Sequence, residues 1–350
     1  MPPGSSADAP IEAVAPLRIS FVGGGTDFPH WYDDHGGAVV SATIDHVVRV
    51  RVRPRPDRVV EVRSLDLDQL VAYHLDDPPV YDGALDLVKA AIAHVGLDRG
   101  VSVEIRSEAP PGSGLGGSSA LVTAVVAALA MLADRTMDAR QLARTAYRIE
   151  REDLGITGGW QDQFAAAFGG CNLLEFSRDD VRVRPVADPE RLARVAEGLL
   201  LCYTGGVRAD VGLIDRQIAM HAEGREETTL GMKRLQELAY AIRDVLERTD
   251  LEALGGLLHE AFQAKRQMNP FITDGTPIER MLDAARAAGA FGGKVCGAGG
   301  GGYLLIAAPS AAHGDVRTAL ASLGGQFAPF SFRAEGVRAS RGATTWAPAA

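Results

Sequence analysis

The sequence predicts an α+β protein of two lobes. Three observations carry that reading. Strand-like segments dominate the first hundred residues, and helices dominate from 211 to 288, with strand signals returning beyond them. A chain of 350 residues that is 46% hydrophobic and 23% charged has material for a large core or two domains. Arg, Asp and Pro accumulate near 180–195, which marks a boundary between an N-terminal domain over 14–185 and a C-terminal domain over 186–345.

The elements follow in chain order. Residues 1–13 read as disordered. Residues 17–22 form a short apolar strand that runs into Gly23-Gly24-Gly25. Partial alternation through Val39, Ile44, Val47, Val48, Val50 and Val52 predicts one or two strands over 38–52, and 59–63 is another. Leu85, Val88, Ile92 and Val95 have helical spacing. Val101, Val103 and Ile105 alternate with polar residues, which gives a strand. Residues 118–132 form a strong helix of alanine and leucine, with Ser118 and Ser119 where caps belong. Helices are predicted over 139–153 and 160–168, then strands over 170–176 and 199–203. Further helices cover 211–248, 251–268 and 278–288. A strand over 303–307 follows the last glycine cluster.

Composition excludes several classes. Net charge is −9, and no dense Lys/Arg block provides a nucleic-acid face. Arg51, Arg53, Arg55 and Arg58 alternate with other residues as the polar face of a strand and turn. Cys171, Cys202 and Cys296 lie far apart, without zinc-like spacing, and read as buried thiols in a reducing compartment. The first ten residues lack a basic start and an apolar core, so no signal peptide is expected. The longest apolar stretch, 120–132, is too short for a bilayer. These features point to a cytoplasmic protein acting on small molecules, as a monomer or homodimer, without nucleic-acid or membrane partners. Histidines do not cluster in sequence, so no transition-metal site is expected, and His30 and His35 read as surface residues, with the sugar pocket as the alternative.

Forty glycines are distributed unevenly, with clusters at 23–25, 112–117 and 297–302. Glycine permits positive φ and close backbone approach to a ligand. The central motif is Pro110-Pro111-Gly112-Ser113-Gly114-Leu115-Gly116-Gly117-Ser118-Ser119-Ala120, between a strand and a helix. Successive N–H groups of such a loop cradle an anion, and the helix N-terminus adds partial positive charge. A Walker A loop would need Gly-Lys-Ser/Thr, which is absent. The dinucleotide pattern G-x-G-x-x-G matches Gly112, Gly114 and Gly117. It lies a third of the way along the chain, however, and the acid near its expected place, Asp134, follows a helix. The loop therefore reads as a phosphate-binding site contributed by Pro111, Gly112, Ser113, Gly114, Leu115, Gly116, Gly117, Ser118 and Ser119.

In its order of motifs the chain resembles the galactokinase, homoserine kinase, mevalonate kinase and phosphomevalonate kinase (GHMP) superfamily. Residues 15–27, Ala-Pro-Leu-Arg-Ile-Ser-Phe-Val-Gly-Gly-Gly-Thr-Asp, are similar to its N-terminal substrate motif. Residues 110–120 resemble its phosphate loop, and Lys294-Val295-Cys296-Gly297-Ala298-Gly299-Gly300-Gly301-Gly302 its C-terminal glycine motif. The form Gly-Gly-Gly-Thr-Asp, with Gly159-Trp160-Gln161-Asp162-Gln163 and Leu201-Cys202-Tyr203-Thr204-Gly205, resembles heptose 7-phosphate kinases, and fucokinase domains share much of the pattern. The resemblance implies a two-lobed GHMP-kinase-like fold. It would pair an N-terminal ribosomal-S5-like α/β domain with a C-terminal ferredoxin-like α+β domain.

It also implies roles. Phosphoryl transfer needs positioning, charge neutralisation and an in-line hydroxyl, which a carboxylate base helps to activate. The resemblance places that base on Asp162, with Arg18 beside it, and a magnesium-binding carboxylate on Glu150. One carboxylate and one hydroxyl suffice for Mg²⁺ bound to ATP, and Ser119 is the chosen hydroxyl with Ser118 second. Acceptor contacts are expected from Gly24, Gly25, Thr26, Asp27, Asp162, Tyr203, Gly299 and Gly300. A phosphate on the acceptor needs a basic receiver, with Lys265, Arg208, Arg266 and Lys89 as candidates. The expected activity is ATP-dependent phosphorylation of the anomeric hydroxyl of a heptose 7-phosphate. Three alternatives stay open: a kinase for a free sugar such as fucose, a non-catalytic nucleotide and sugar sensor, and a nicotinamide dehydrogenase that would bind NAD and show no ATP hydrolysis.

Overall fold

The computed structural model describes residues 9–207 and 212–342. Its first half runs β1 (Ile11–Val22), α1 (Pro29–His35), β2 (Gly37–Pro54), β3 (Val59–Ser64), β4 (Gln69–His74), α2 (Asp86–Val95), β5 (Val101–Ser107), α3 (Gly117–Leu132) and α4 (Ala139–Arg148). A π-helical turn, Ile149–Asp153, precedes α5 (Gln161–Phe168), β6 (Cys171–Phe176) and β7 (Val181–Ala187). The second half runs α6 (Pro189–Ala196), β8 (Leu199–Val207), α7 (Leu213–Ala222), α8 (Glu226–Arg248), α9 (Leu251–Met268), α10 (Ile278–Ala287) and β9 (Gly292–Val295). It ends with β10 (Gly301–Ala307), α11 (His313–Ala321), β11 (Gln326–Ala328) and β12 (Arg338–Arg341).

Two sheets organise these elements. The larger has the order β12-β1-β2-β5-β3-β4, with β6 and β7 branching from β2. The branch exists because β2 is long: Gly37 to Ala42 pair with β6, while Val48 to Pro54 pair with β5. The smaller sheet is antiparallel, in the order β11-β8-β10-β9. β1 is buried along almost its whole length, and both α3 and α8 pack on β1 and β2. Burial on both faces explains why β1 lacks a clean alternation, and its polar residues Glu12, Arg18 and Ser20 are buried with the rest. α3 is buried through Ala120–Ala130 apart from Leu121, as its apolar sequence requires, and its one polar member there, Thr123, donates its hydroxyl to the Ser119 carbonyl. A second core in the C-terminal half joins Phe262, Ile278, Met281 and Leu282 to Leu304 and Ile306.

The elements differ from expectation in several places. The first strand begins at Ile11 rather than 17, so residues 11–13, expected to be disordered, are buried and paired with β2 and β12. The helix expected over 211–248 is two helices, interrupted at Gly224, whose φ is +70°. The helix expected over 139–153 changes to a π turn at Ile149. Residues 180–195 hold β7 and α6, so the expected boundary at 185/186 cuts a strand that pairs with β6. The chain also returns at its end to the first sheet, where β12 pairs with β1. A three- or four-residue strand such as β11 or β12 is too short to show a period of its own.

Candidate active site

A cavity of about 800 Å³ lies where the start of α3, the loop after β1 and the loop after β9 converge. Its walls include Arg18, Gly24, Asp27, Gly112, Ser119, Glu150, Asp162 and Gly299. Residues scattered over 280 positions are thus brought to one place by two sheets and one helix N-terminus.

The phosphate loop enters this cavity along residues 110–119, with Leu115 as its exception. Leu115 is fully buried in the core and anchors the loop, and its carbonyl accepts from Arg18 N–H at 2.9 Å. Gly116, not a serine, stands at the N-cap of α3, in the left-handed region at φ +77°. No side chain caps this helix end. Ser118 and Ser119 therefore lie in the first turn, and the expectation that they cap it is corrected. An uncapped helix start leaves its first N–H groups available to an anion. Gly114 is at φ +80°, and a Cβ there would lie 2.6 Å from the Cys296 carbonyl oxygen. The central and C-terminal glycine clusters therefore touch backbone to backbone.

Asp162 lies in the first turn of α5, facing Arg18 of β1. Arg18 Nη2 is 2.7 Å and Nε 2.8 Å from Asp162 Oδ1, while Nη1 donates to the Gly114 carbonyl at 2.5 Å. One guanidinium thus ties the acid to the phosphate loop. Arg18 is 4% exposed and Asp162 23%. Among the described residues nothing donates to Asp162 Oδ2, which leaves it open to the cavity. The entry to α5 is held by Trp160, stacked on Tyr147 at 3.4 Å between ring centroids and donating to Tyr32 Oη at 3.0 Å.

Glu150 sits on the π turn, a distortion of the kind that often re-aims a side chain at a functional site. It is buried, and Ser119 Oγ donates to its Oε2 at 2.8 Å. Gln163 Nε2 donates to the same Oε2 and to Ser119 Oγ. Burial pushes the Glu150 carboxyl above its ordinary value, against the opposing pull of Arg151 and of these donors. The pair of hard oxygens fits a magnesium ion. Two adjacent ligands at about 2.1 Å in an octahedron lie about 3 Å apart, close to the observed spacing.

The loop after β1 holds Gly24, Gly25 and Asp27 at the cavity wall. Asp27 Oδ1 accepts from Gly25 N–H at 2.9 Å and Oδ2 from Gln161 N–H at 3.1 Å. It therefore joins the first glycine loop to the entry of α5, and burial raises its pKa. Gly159 is required by this packing, since a Cβ there would sit 2.0 Å from Asp27 Oδ2. Three expected acceptor contacts lie outside the cavity wall. Thr26 is fully buried, and its hydroxyl is spent on the Gly23 and Ala38 carbonyls. Tyr203 packs on Tyr303 in the second sheet. Gly300 donates to the Ile272 carbonyl, and Gly299 is the neighbour that lines the cavity.

The model of the GHMP kinases N terminal domain matches residues 83–170, and that of GHMP kinases C terminal matches 241–325. A D-glycero-alpha-D-manno-heptose 7-phosphate kinase of Campylobacter jejuni is 31% identical over 95% of this chain and 99% of its own. The chain is a member of the GHMP kinase family. Among solved structures, a D-glycero-D-manno-heptose 1-phosphate kinase from Bacteroides thetaiotaomicron superposes with a TM-score of 0.77 at 27% identity. That match covers 95% of this chain and 99% of the other. A galactose complex of Lactococcus lactis galactokinase, 20% identical with a TM-score of 0.78, shares the fold over 94% and 95% of the two chains.

As a GHMP kinase of the sugar-kinase branch, the protein uses ATP and takes a small-molecule sugar or sugar phosphate. Among the described residues no helix is long and apolar enough to cross a membrane. Of the basic candidates for an acceptor phosphate, Lys265 lines the cavity. Lys89 is consumed by ion pairs to Asp82 and Asp86, and Arg266 by one to Glu279 outside the cavity. Arg208 lies outside the described residues. Sequence reasoning assigned no site role to Gln163, Gln161, Gln217 or Lys294. Gln163 adjoins Asp162 in the same motif, and Lys294 opens the third glycine motif, so both were visible as neighbours. Gln217 gives no signal before the fold brings α7 against Gly25.

Proposed function

We propose that this kinase transfers the γ-phosphoryl group of ATP to the anomeric hydroxyl of D-glycero-D-manno-heptose 7-phosphate, giving the 1,7-bisphosphate and ADP. The observation that carries it is the placement of two pairs, Arg18–Asp162 and Ser119–Glu150, around the uncapped start of α3. In this reading residues 111–119 wrap the triphosphate. Ser119 and Glu150 hold magnesium, which would neutralise phosphate charge. Asp162 Oδ2 takes the proton of the attacking hydroxyl as its oxygen bonds to the γ-phosphorus and the bond to the bridging oxygen of ADP breaks. Arg18 keeps Asp162 in place and adds positive charge where the transferred group passes. Gly24, Gly25, Asp27 and Gly299 line the acceptor's side. The choice of a heptose 7-phosphate is supported by the Campylobacter relative and by the buried amine of Lys265 at the cavity wall.

The test is a kinase screen over free and phosphorylated heptoses, fucose and galactose, with the product position assigned by phosphorus NMR. Heptose 7-phosphate should give the highest kcat/KM and a second phosphate signal at C1. Preference for free fucose would replace the acceptor. Absence of phosphotransfer to every sugar, with nucleotide still bound, would establish the sensor alternative.

A further inference from the structure

Lys265 of α9 and Lys294 of β9 line the same cavity and are 7% and 4% exposed. Each ammonium is held by a single backbone carbonyl. Lys265 Nζ donates to Gly297 O at 2.7 Å, and Lys294 Nζ donates to Ser20 O at 2.7 Å. An ammonium carries three protons, so these bonds leave donor capacity unused. Neither lysine has a carboxylate within ion-pair distance among the described residues, unlike the buried Lys89, which has two. The carboxylates nearby are already engaged, Asp162 by Arg18 and Asp27 by two backbone N–H groups. Burial, mutual repulsion and Arg18 lower Lys265 to about 7, and burial leads the lowering of Lys294 to about 8. A buried charge without a counterion is costly, and two of one sign at one wall cost more. Replacing either by a neutral side chain would relieve that cost, so a structural role does not account for the pair.

We propose that Lys265 and Lys294 together form an oxyanion site that binds a phosphoryl group on the acceptor side of the cavity. The assignment rests on the kinase reading and adds Lys294 to it. The group has two sources of identical chemistry: a phosphate already on the acceptor, or the phosphoryl group arriving from ATP.

Lys294→Met and Lys265→Met, with Lys294→Arg as a charge-retaining partner, separate these. Without ligand, the Met variants should melt above the wild type. Calorimetry with inorganic phosphate should show at least ten-fold weaker binding to the Met variants, with Lys294→Arg retaining part of it. For a phosphate already on the acceptor, affinity for the sugar 7-phosphate falls at least ten-fold further than affinity for the free sugar. For the arriving group, acceptor affinities hold and kcat falls at least ten-fold. Met variants that melt below the wild type while phosphate affinity and kcat are unchanged would overturn the proposal. Phosphate binding that depends on both lysines in a protein without phosphotransfer would instead remove the kinase reading and leave the site standing.

Discussion

At the scale of single residues, the proposed function gives different tasks to two polar pairs, Arg18–Asp162 and Ser119–Glu150. Asp162 offers one oxygen to Arg18 and leaves the other open, the arrangement a general base needs. Asp162→Asn should keep ATP binding and lose about 100-fold or more in turnover, read from kcat and an independent nucleotide titration. Near-normal kcat would take the base role from Asp162. Ser119 and Glu150 share a hydrogen bond and a common donor, Gln163. Ser119→Ala should raise the magnesium concentration for half-maximal rate while leaving acceptor KM near its original value, and an unchanged metal titration would exclude the hydroxyl as a ligand. Arg18, Ser119 and Asp162 were readable because each sits in a short motif, while Glu150 stands in none and was placed by the family resemblance alone. Thr26 and Tyr203 were misread because motif membership does not say which way a side chain points. Thr26 turns inward to close its own loop, and Tyr203 packs on Tyr303 within the second sheet.

At the scale of elements, the central fact is that two glycine clusters far apart in sequence touch. The clusters were visible one at a time; their contact was not, since nothing local to Gly114 encodes the approach of Cys296. A side chain at Gly114 faces both a left-handed backbone and a Cβ contact of 2.6 Å to a carbonyl oxygen. Strain in the left-handed region alone costs about 1–3 kcal/mol for a residue with a Cβ. Gly114→Ala should therefore lower Tm and weaken ATP binding together. A Cβ at Gly117 would meet nothing within 4 Å, and the backbone there is not left-handed, so Gly117→Ala should leave Tm unchanged. Equal tolerance at both positions, measured by thermal melts and nucleotide titration, would contradict the backbone contact. Strands with strong local patterns, such as β5, were equally readable. The short edge strands β11 and β12 depend on partners more than 100 residues away and left no such trace.

At the scale of the whole molecule, the buried charges give the fold a defined response to pH. Lys265 and Lys294 have folded pKa values of about 7 and about 8, below their ordinary 10.5. Between those values and 10.5 the unfolded chain binds more protons than the folded one, so stability rises with pH across that window. As pH falls from 10.5 toward about 7 the gain is lost, because the folded state must then carry both charges. His30, expected at the surface, is instead half-buried against Phe28 and His221, and burial lowers it to about 4 from 6.5. Its contribution is complete above 6.5 and is lost as pH falls toward about 4. Asp27 and Glu150 run the opposite way, since carboxyls raised by burial favour the fold when protonated and lose that contribution as pH rises through their folded pKa. The difference between the wild type and Lys265→Met or Lys294→Met isolates the lysines from all other groups. The Met variants should exceed the wild type in Tm most at pH 7 and least near pH 10. Saturating phosphate should narrow the gap at pH 7, because an anion between the amines raises their pKa values and restores the charged form. A gap that is flat from pH 7 to 10, with and without phosphate, would mean that these lysines are not charged against the grain of the fold.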